Sequence, residues 1–145
     1  MFTTKIITTG LIAVMLGLAA PQAFAGSSTV SIEQYGLGNG AGGSQHGYRH
    51  RTTVYQNGRG NSVITNQYGS DSRAVVGQNG HHNSANTYQN GSRNIVGVAQ
   101  FGSGHTVVTT QDGSGNAVGV IQAGHNNHAT TTQVGAGNVS VIVQD

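Results

Sequence analysis

The stretch Gln56-Asn57-Gly58-Arg59-Gly60-Asn61-Ser62-Val63-Ile64-Thr65-Asn66-Gln67 decides the reading of the chain. It opens with Gln-x-Gly-x-x-Asn, a turn signal in which glycine supplies backbone conformations closed to other residues. It continues as an alternating run. Asn61, Val63, Thr65 and Gln67 share one face and Ser62, Ile64 and Asn66 the other, because side chains two apart in a strand point the same way. It ends on the glutamine from which the next such unit starts.

Working outward from that stretch, glutamine recurs every 11 residues, at Gln34, Gln45, Gln56, Gln67, Gln78, Gln89, Gln100, Gln111, Gln122, Gln133 and Gln144. No glutamine after residue 26 falls off this ladder. Glycine follows two residues after each of the first ten, and five residues after each comes Asn39, Asn61, Asn83, Asn94, Asn116, Asn127 or Asn138, with His50, Ser72 and His105 replacing Asn. A second period lies inside the first. Val54, Thr65, Val76, Thr87, Val98, Thr109, Val120, Thr131 and Ile142 alternate aliphatic with Thr two residues before each glutamine from Gln56 onward, so the structural repeat is 22 residues.

Such self-similarity is the signature of a stacked repeat architecture. The spacing predicts an all-β fold, a β-solenoid of two stacked parallel sheets whose 22-residue coil contains two 11-residue strand-turn units. Segments 28–34, 50–56, 72–78, 94–100, 116–122 and 138–144 form one sheet. Segments 39–45, 61–67, 83–89, 105–111 and 127–133 form the other. Each Gln and Asn then lies over its counterpart one coil away, and such ladders bond along the stack as in cross-β assemblies. Eleven strands stack to about 26 Å at the usual strand spacing. The glycine-rich strand 39–45 is expected to be the weakest and to stay unpaired, within a flexible segment 36–47, because strand glycines contribute no side-chain contacts.

Composition agrees with repetition rather than a conventional core. Of 145 residues, 35% are apolar and 7% charged, with 24 glycines, one proline and no cysteine. A typical domain is about half apolar and a quarter charged. The absence of cysteine excludes disulfides, zinc-thiolate sites and a Cys nucleophile. Residues 1–25 read as a secretory signal peptide: Lys5 in the n-region, an apolar stretch from Ile6 to Ala20, and Ala23-Phe24-Ala25 before the cut. A membrane span, the other reading, needs about 20 apolar residues. The repeat region is then 26–145, with five arginines against four carboxylates (5 − 4 = +1), which gives no reason to expect nucleic acid.

The chemistry of sites adds little. The four carboxylates are scattered, so nothing pairs acid with base for an enzyme, and no cofactor or small-molecule substrate is implied. His81, His82 and His125 fall on one edge, but 81 and 125 lie two rungs apart, about 10 Å, too far to share one metal ion. No metal site is expected.

The iterated motif resembles curlin, the subunit of curli amyloid fibres. The nearest matches are Gln56-Asn-Gly58-Arg-Gly-Asn61, Gln78-Asn-Gly80-His-His-Asn83-Ser-Ala85 and Gln122-Ala-Gly124-His-Asn-Asn127-His-Ala129. The resemblance implies a homopolymer of an exported subunit, a pilus-like adhesive fibre of the biofilm matrix at the surface of a Gram-negative bacterium. It also implies a nucleator subunit and an outer-membrane secretion machinery as partners. Ser72, His50 and His105 depart from the pattern and predict rungs that are weaker or pH-sensitive. Curlins carry a separate glycine-rich segment read by the secretion machinery, and 36–47 is the candidate for it here. Two other functions remain open on the residues alone: a minor, nucleating curlin, and a solenoid binding module that does not polymerise.

Assembly is expected at the sheet edges, which expose unpaired backbone groups. Strand 138–144 carries no charge, proline or glycine, the composition of a steric-zipper segment. Val139, Val141, Ile142 and Val143 therefore mark the polymerisation edge, which is expected to meet strand 28–34 of the next subunit.

Overall fold

The computed structural model describes residues 3–9, 13–15 and 27–145. Two short strands come first, β1 (Thr3–Thr9) and β2 (Ala13–Met15). The eleven repeat strands follow: β3 (Thr29–Leu37), β4 (Gly40–Tyr48), β5 (Arg51–Arg59), β6 (Ser62–Ser70), β7 (Arg73–His81), β8 (Ser84–Ser92), β9 (Ile95–Ser103), β10 (Thr106–Ser114), β11 (Ala117–His125), β12 (His128–Ala136) and β13 (Val139–Gln144). Odd strands stack in numerical order into one sheet and even strands into the other. Every pairing from β3 onward is parallel, and each residue faces the one 22 positions away, as Gln56 faces Gln78 and Gln67 faces Gln89. The fold is thus the all-β solenoid with a 22-residue coil.

β1 flanks β3 and β2 flanks β4, both parallel. The cleavage signal Ala23-Phe24-Ala25 lies outside the described residues.

Two expectations need correction. The strands are longer than the seven residues read from the alternation: β5 to β12 each span nine and run through Gln-x-Gly, so the reversal occupies only two residues, such as Gly60-Asn61. The ladder continues because the backbone stays in register around the bend. Gly80 has φ +129°, and a Cβ there would overlap the carbonyl of Gly102 one rung on. The other correction concerns 39–45. β4 pairs with β6 over nine residues in full register, since the ladder bonds are main-chain bonds that glycine makes as well as any residue.

The reversal also has a position that the alternation does not mark. Four residues after each glutamine the backbone enters the left-handed region: Gly60 at +65°, but also Arg49 at +56°, Asp71 at +58°, His82 at +56°, Arg93 at +57° and Asn126 at +59°. For residues with a Cβ this costs about 1 kcal/mol or more each, and the stack on either side holds them there.

The space between the sheets is thin and mostly polar. Among the described residues buried polar side chains outnumber buried apolar ones 23 to 13, so hydrogen bonding decides whether the stack holds. Val54, Val76, Val98 and Val120 supply the apolar column of one sheet and Thr65, Thr87, Thr109 and Thr131 the matching column of the other. The outer faces differ. Ile95, Ile121, Val139, Val141 and Val143 are exposed on the odd sheet. The even sheet presents Ser, Thr and Asn together with Ile64 and a tilted pair, Tyr68 and Tyr88, 5.5 Å apart.

Candidate functional site: the amide ladders and their open ends

Alternation turns every ladder glutamine inward, and the 22-residue register places it over its counterpart. In the odd sheet Nε2 of each Gln donates to Oε1 of the next: Gln56 to Gln78 at 2.8 Å, Gln78 to Gln100 at 2.7 Å, Gln100 to Gln122 at 3.0 Å and Gln122 to Gln144 at 2.8 Å. Gln34 donates to Gln56 in the same way. The even sheet repeats the pattern through Gln45, Gln67, Gln89, Gln111 and Gln133 at 2.8–3.0 Å. The second amide hydrogen crosses to the neighbouring sheet. Gln78 donates to the Ser62 carbonyl, Gln89 to Arg73 and Gln100 to Ser84, always 16 residues back. Both hydrogens and the oxygen of Gln78, Gln89 and Gln100 are therefore used, as a buried amide requires.

The asparagines close the corners. Asn94 donates to the carbonyl of Asn90 and to that of Gly113, both at 3.0 Å, while its Oδ1 accepts from the Asn116 backbone N–H at 3.0 Å. Asn39, Asn61, Asn83, Asn116 and Asn138 accept or donate in the same positions. Asn127 donates to the Ala123 carbonyl.

The three departures fare differently. His105 is fully buried and imitates Asn: its Nε2 lies 3.1 Å from the Phe101 carbonyl and its Nδ1 accepts from the Asn127 N–H at 3.2 Å. Those partners require the neutral ring with the proton on Nε2. His50 is also buried, with Nε2 3.0 Å from the His46 carbonyl, but its Nδ1 has no partner. Ser72 bonds only the Ser70 carbonyl, at 3.4 Å, whereas Ser28 at the equivalent position accepts from the His50 N–H of the next rung at 3.2 Å. The corner ladder of the odd sheet is thus interrupted over 50 and 72 and becomes regular from Asn94.

The ladders end unfilled. Gln34 Oε1 and Gln45 Oε1 are buried and accept no hydrogen bond, one in each sheet. At the other end Gln133 and Gln144 each bond back to a carbonyl, of Ala117 and His128, but have no amide ahead of them. In the flanking strands β1 sets Thr8 opposite Gln34, and β2 pairs with β4 over Gly40 to Gly42. Around Gln144, Val139, Val141 and Val143 are 67–75% exposed, whereas Ile142 packs against the core.

Charge is sparse here. Arg49 pairs with Asp71 at 2.8 Å on the surface. Among the described residues no three His, Asp or Glu side chains converge as metal ligands, and His125 instead bonds Ser103 at 2.7 Å. What sequence reasoning missed was the left-handed corner position. The signal was partial: the position holds Gly38, Gly60, Gly104, Gly115 and Gly137 and also Asp71 and Asn126, residue types that tolerate that conformation.

Comparison with known families agrees with this geometry. The curlin associated repeat matches three times, over residues 51–80, 80–113 and 106–135, which together span more than half of the chain. No curated protein sequence matches it significantly.

Proposed function

From the premise that this chain belongs to the curlin family, a family of structural fibre subunits rather than enzymes, we propose that it is exported and polymerises end to end by strand stacking into an extracellular amyloid fibre. Residues 1–25 act as the export signal, and the fibre forms at the surface of a Gram-negative cell as part of a biofilm matrix. A nucleator subunit and an outer-membrane secretion machinery serve as partners. The observation that carries this reading is the pair of ends left once β1 and β2 go with the export signal: both sheets then stop at strands with unpaired backbone edges, and both amide ladders stop with bonding groups unused. Buried polar groups without partners cost about 1–3 kcal/mol each, so an incoming strand that supplies them is favoured.

The test is a seeded assembly assay on the chain from Gly26 onward. It should pass from disordered to β-rich after a lag, bind amyloid dyes and lose its lag when seeded. Fibre diffraction should show spacings of about 4.8 Å and 10 Å. A stable monomer at high concentration would instead assign it to soluble binding modules. A chain that shortens the lag of another curlin while failing to elongate by itself would be a nucleator.

A further inference from the structure

In a subunit running from Gly26 to Asp145, freed of the β1 and β2 that flank β3 and β4, the number of strands fixes how two copies can join. Eleven repeat strands make five and a half coils, so the odd sheet holds six of them and the even sheet five. If the next subunit simply repeated the first without rotation, β13 would meet the incoming β3. In the other sheet β12 and the incoming β4 would stand two rungs apart, with one strand missing between them. That vacancy would leave two sheet edges unpaired inside the fibre.

The two strands of a coil are interchangeable in their bonding. Glutamines of both sheets donate to the amide 22 residues ahead and to the carbonyl 16 residues back, as Gln89 does to Gln111 and Arg73, and Gln100 to Gln122 and Ser84. The subunit is thus built on a local twofold screw, one 11-residue unit per half-turn.

We propose that the fibre continues this screw: each subunit is rotated by a half-turn about the fibre axis relative to the one before. β12 then stacks on β3 of the next subunit and β13 on its β4. This inference rests on the polymerisation reading above and refines it, replacing the expected contact between strands 138–144 and 28–34.

The unfilled ladder ends select this arrangement. Two buried acceptors wait at one end, Gln34 Oε1 and Gln45 Oε1, one per sheet. Two amides with a hydrogen to spare stand at the other, Gln133 and Gln144. In the half-turn junction Gln133 reaches Gln34 and Gln144 reaches Gln45, each across one rung. Without rotation Gln144 takes Gln34, while Gln45 and Gln133 face an empty rung and keep their deficits. The rotated junction forms two strand pairings and the unrotated one a single pairing.

Disulfide trapping distinguishes the two, and the chain has no cysteine of its own to interfere. Val141, Gly42, Thr130 and Ser31 occupy the same outward position, three residues before a glutamine, on β13, β4, β12 and β3. Neighbouring strands bring such positions within disulfide reach. In mature fibres under mild oxidation, Val141→Cys with Gly42→Cys should link subunits into covalent ladders, and so should Thr130→Cys with Ser31→Cys. Val141→Cys with Ser31→Cys should stay unlinked. Linking of that last pair, or of none, overturns the half-turn.

Helical reconstruction of wild-type fibres provides a measurement free of substitutions. It should show a half-turn with a rise of about 26 Å per subunit, against no rotation and about 29 Å for the direct stack. Failure of the wild-type chain to form fibres at all would instead count against the polymerisation reading.

Discussion

Removing the amide of Gln100 while keeping its bulk isolates what the ladder contributes. Gln100 is fully buried. It accepts from Gln78 at 2.7 Å and donates to Gln122 and to the Ser84 carbonyl, both at 3.0 Å. Gln100→Met fills nearly the same volume and forms none of these bonds. Gln122 Oε1 loses its donor and becomes an orphaned buried acceptor. Gln78 keeps its bond to the Ser62 carbonyl but is left with one free amide hydrogen. Orphaned buried groups cost about 1–3 kcal/mol each, so these two together put the penalty at about 3 kcal/mol. At 1.4 kcal/mol per factor of ten, the concentration left in solution at the assembly plateau should rise on the order of a hundredfold. The guanidinium midpoint of the fibres should fall with it. Asn86→Ala, on the exposed face of β8, is the matched control and should change either quantity less than about twofold. Equal behaviour of the two variants would refute the claim that interior amides hold the stack.

Three further substitutions follow from the same geometry. Thr109 Oγ1 is buried without a partner, so Thr109→Val should stabilise by about 1 kcal/mol, read as a several-fold lower residual soluble concentration. His105→Asn should restore the second corner bond that His lacks and raise the denaturant midpoint. Guanidinium midpoints of the two fibres check this. Ile142→Lys places a charge against the core at the C-terminal edge, at a cost of several kcal/mol for an unpaired buried charge, and should lengthen the lag strongly. The same change at Asn66, on the outer face of β6, should leave the lag nearly unaltered.

Much of this was legible because a solenoid repeats its local chemistry. One inward residue read correctly, such as Gln56, fixes ten others, and the alternation of Val54 with Thr65 assigns strands to sheets before any contact is known. The limits lie where side-chain pattern and backbone behaviour part. Gly40, Gly42 and Gly43 suggested an unpaired strand because they bring no side-chain contacts, yet β4 is held by main-chain bonds to β6 that the pattern does not encode. Gln-x-Gly reads as a turn because glycine marks turns, yet it lies inside the strand, and the reversal falls two residues later at corners such as Asp71 and Arg93. The difference between His105 and His50 depends on whether the next rung offers an N–H within reach of Nδ1, which is settled by tertiary geometry alone.

An in-register parallel stack also explains why so few residues are charged. Whatever stands on an outer face is repeated against the residue 22 positions on, one rung away, and like charges so placed repel. Among the described residues the chain tolerates one such pair within its strands, Arg51 beside Arg73. At the neighbouring corner the signs alternate instead: Arg49, Asp71 and Arg93 fall at successive 22-residue steps, and Arg49 and Asp71 form an ion pair. The same rule applies between subunits. From β3 to β13 the strands form nine pairings within one chain, and a half-turn junction adds two of the same kind. Stability in such quasi-linear repeats is close to a sum of unit and neighbour terms, so a junction differs from an interior step only in its side chains. β12 and β13 bring no Asp, Glu, Lys or Arg to that junction, and on the strands they meet Glu33 is the one such residue. A half-turn junction would therefore contain no like-charge contact and would form through the same interactions that hold the subunit together.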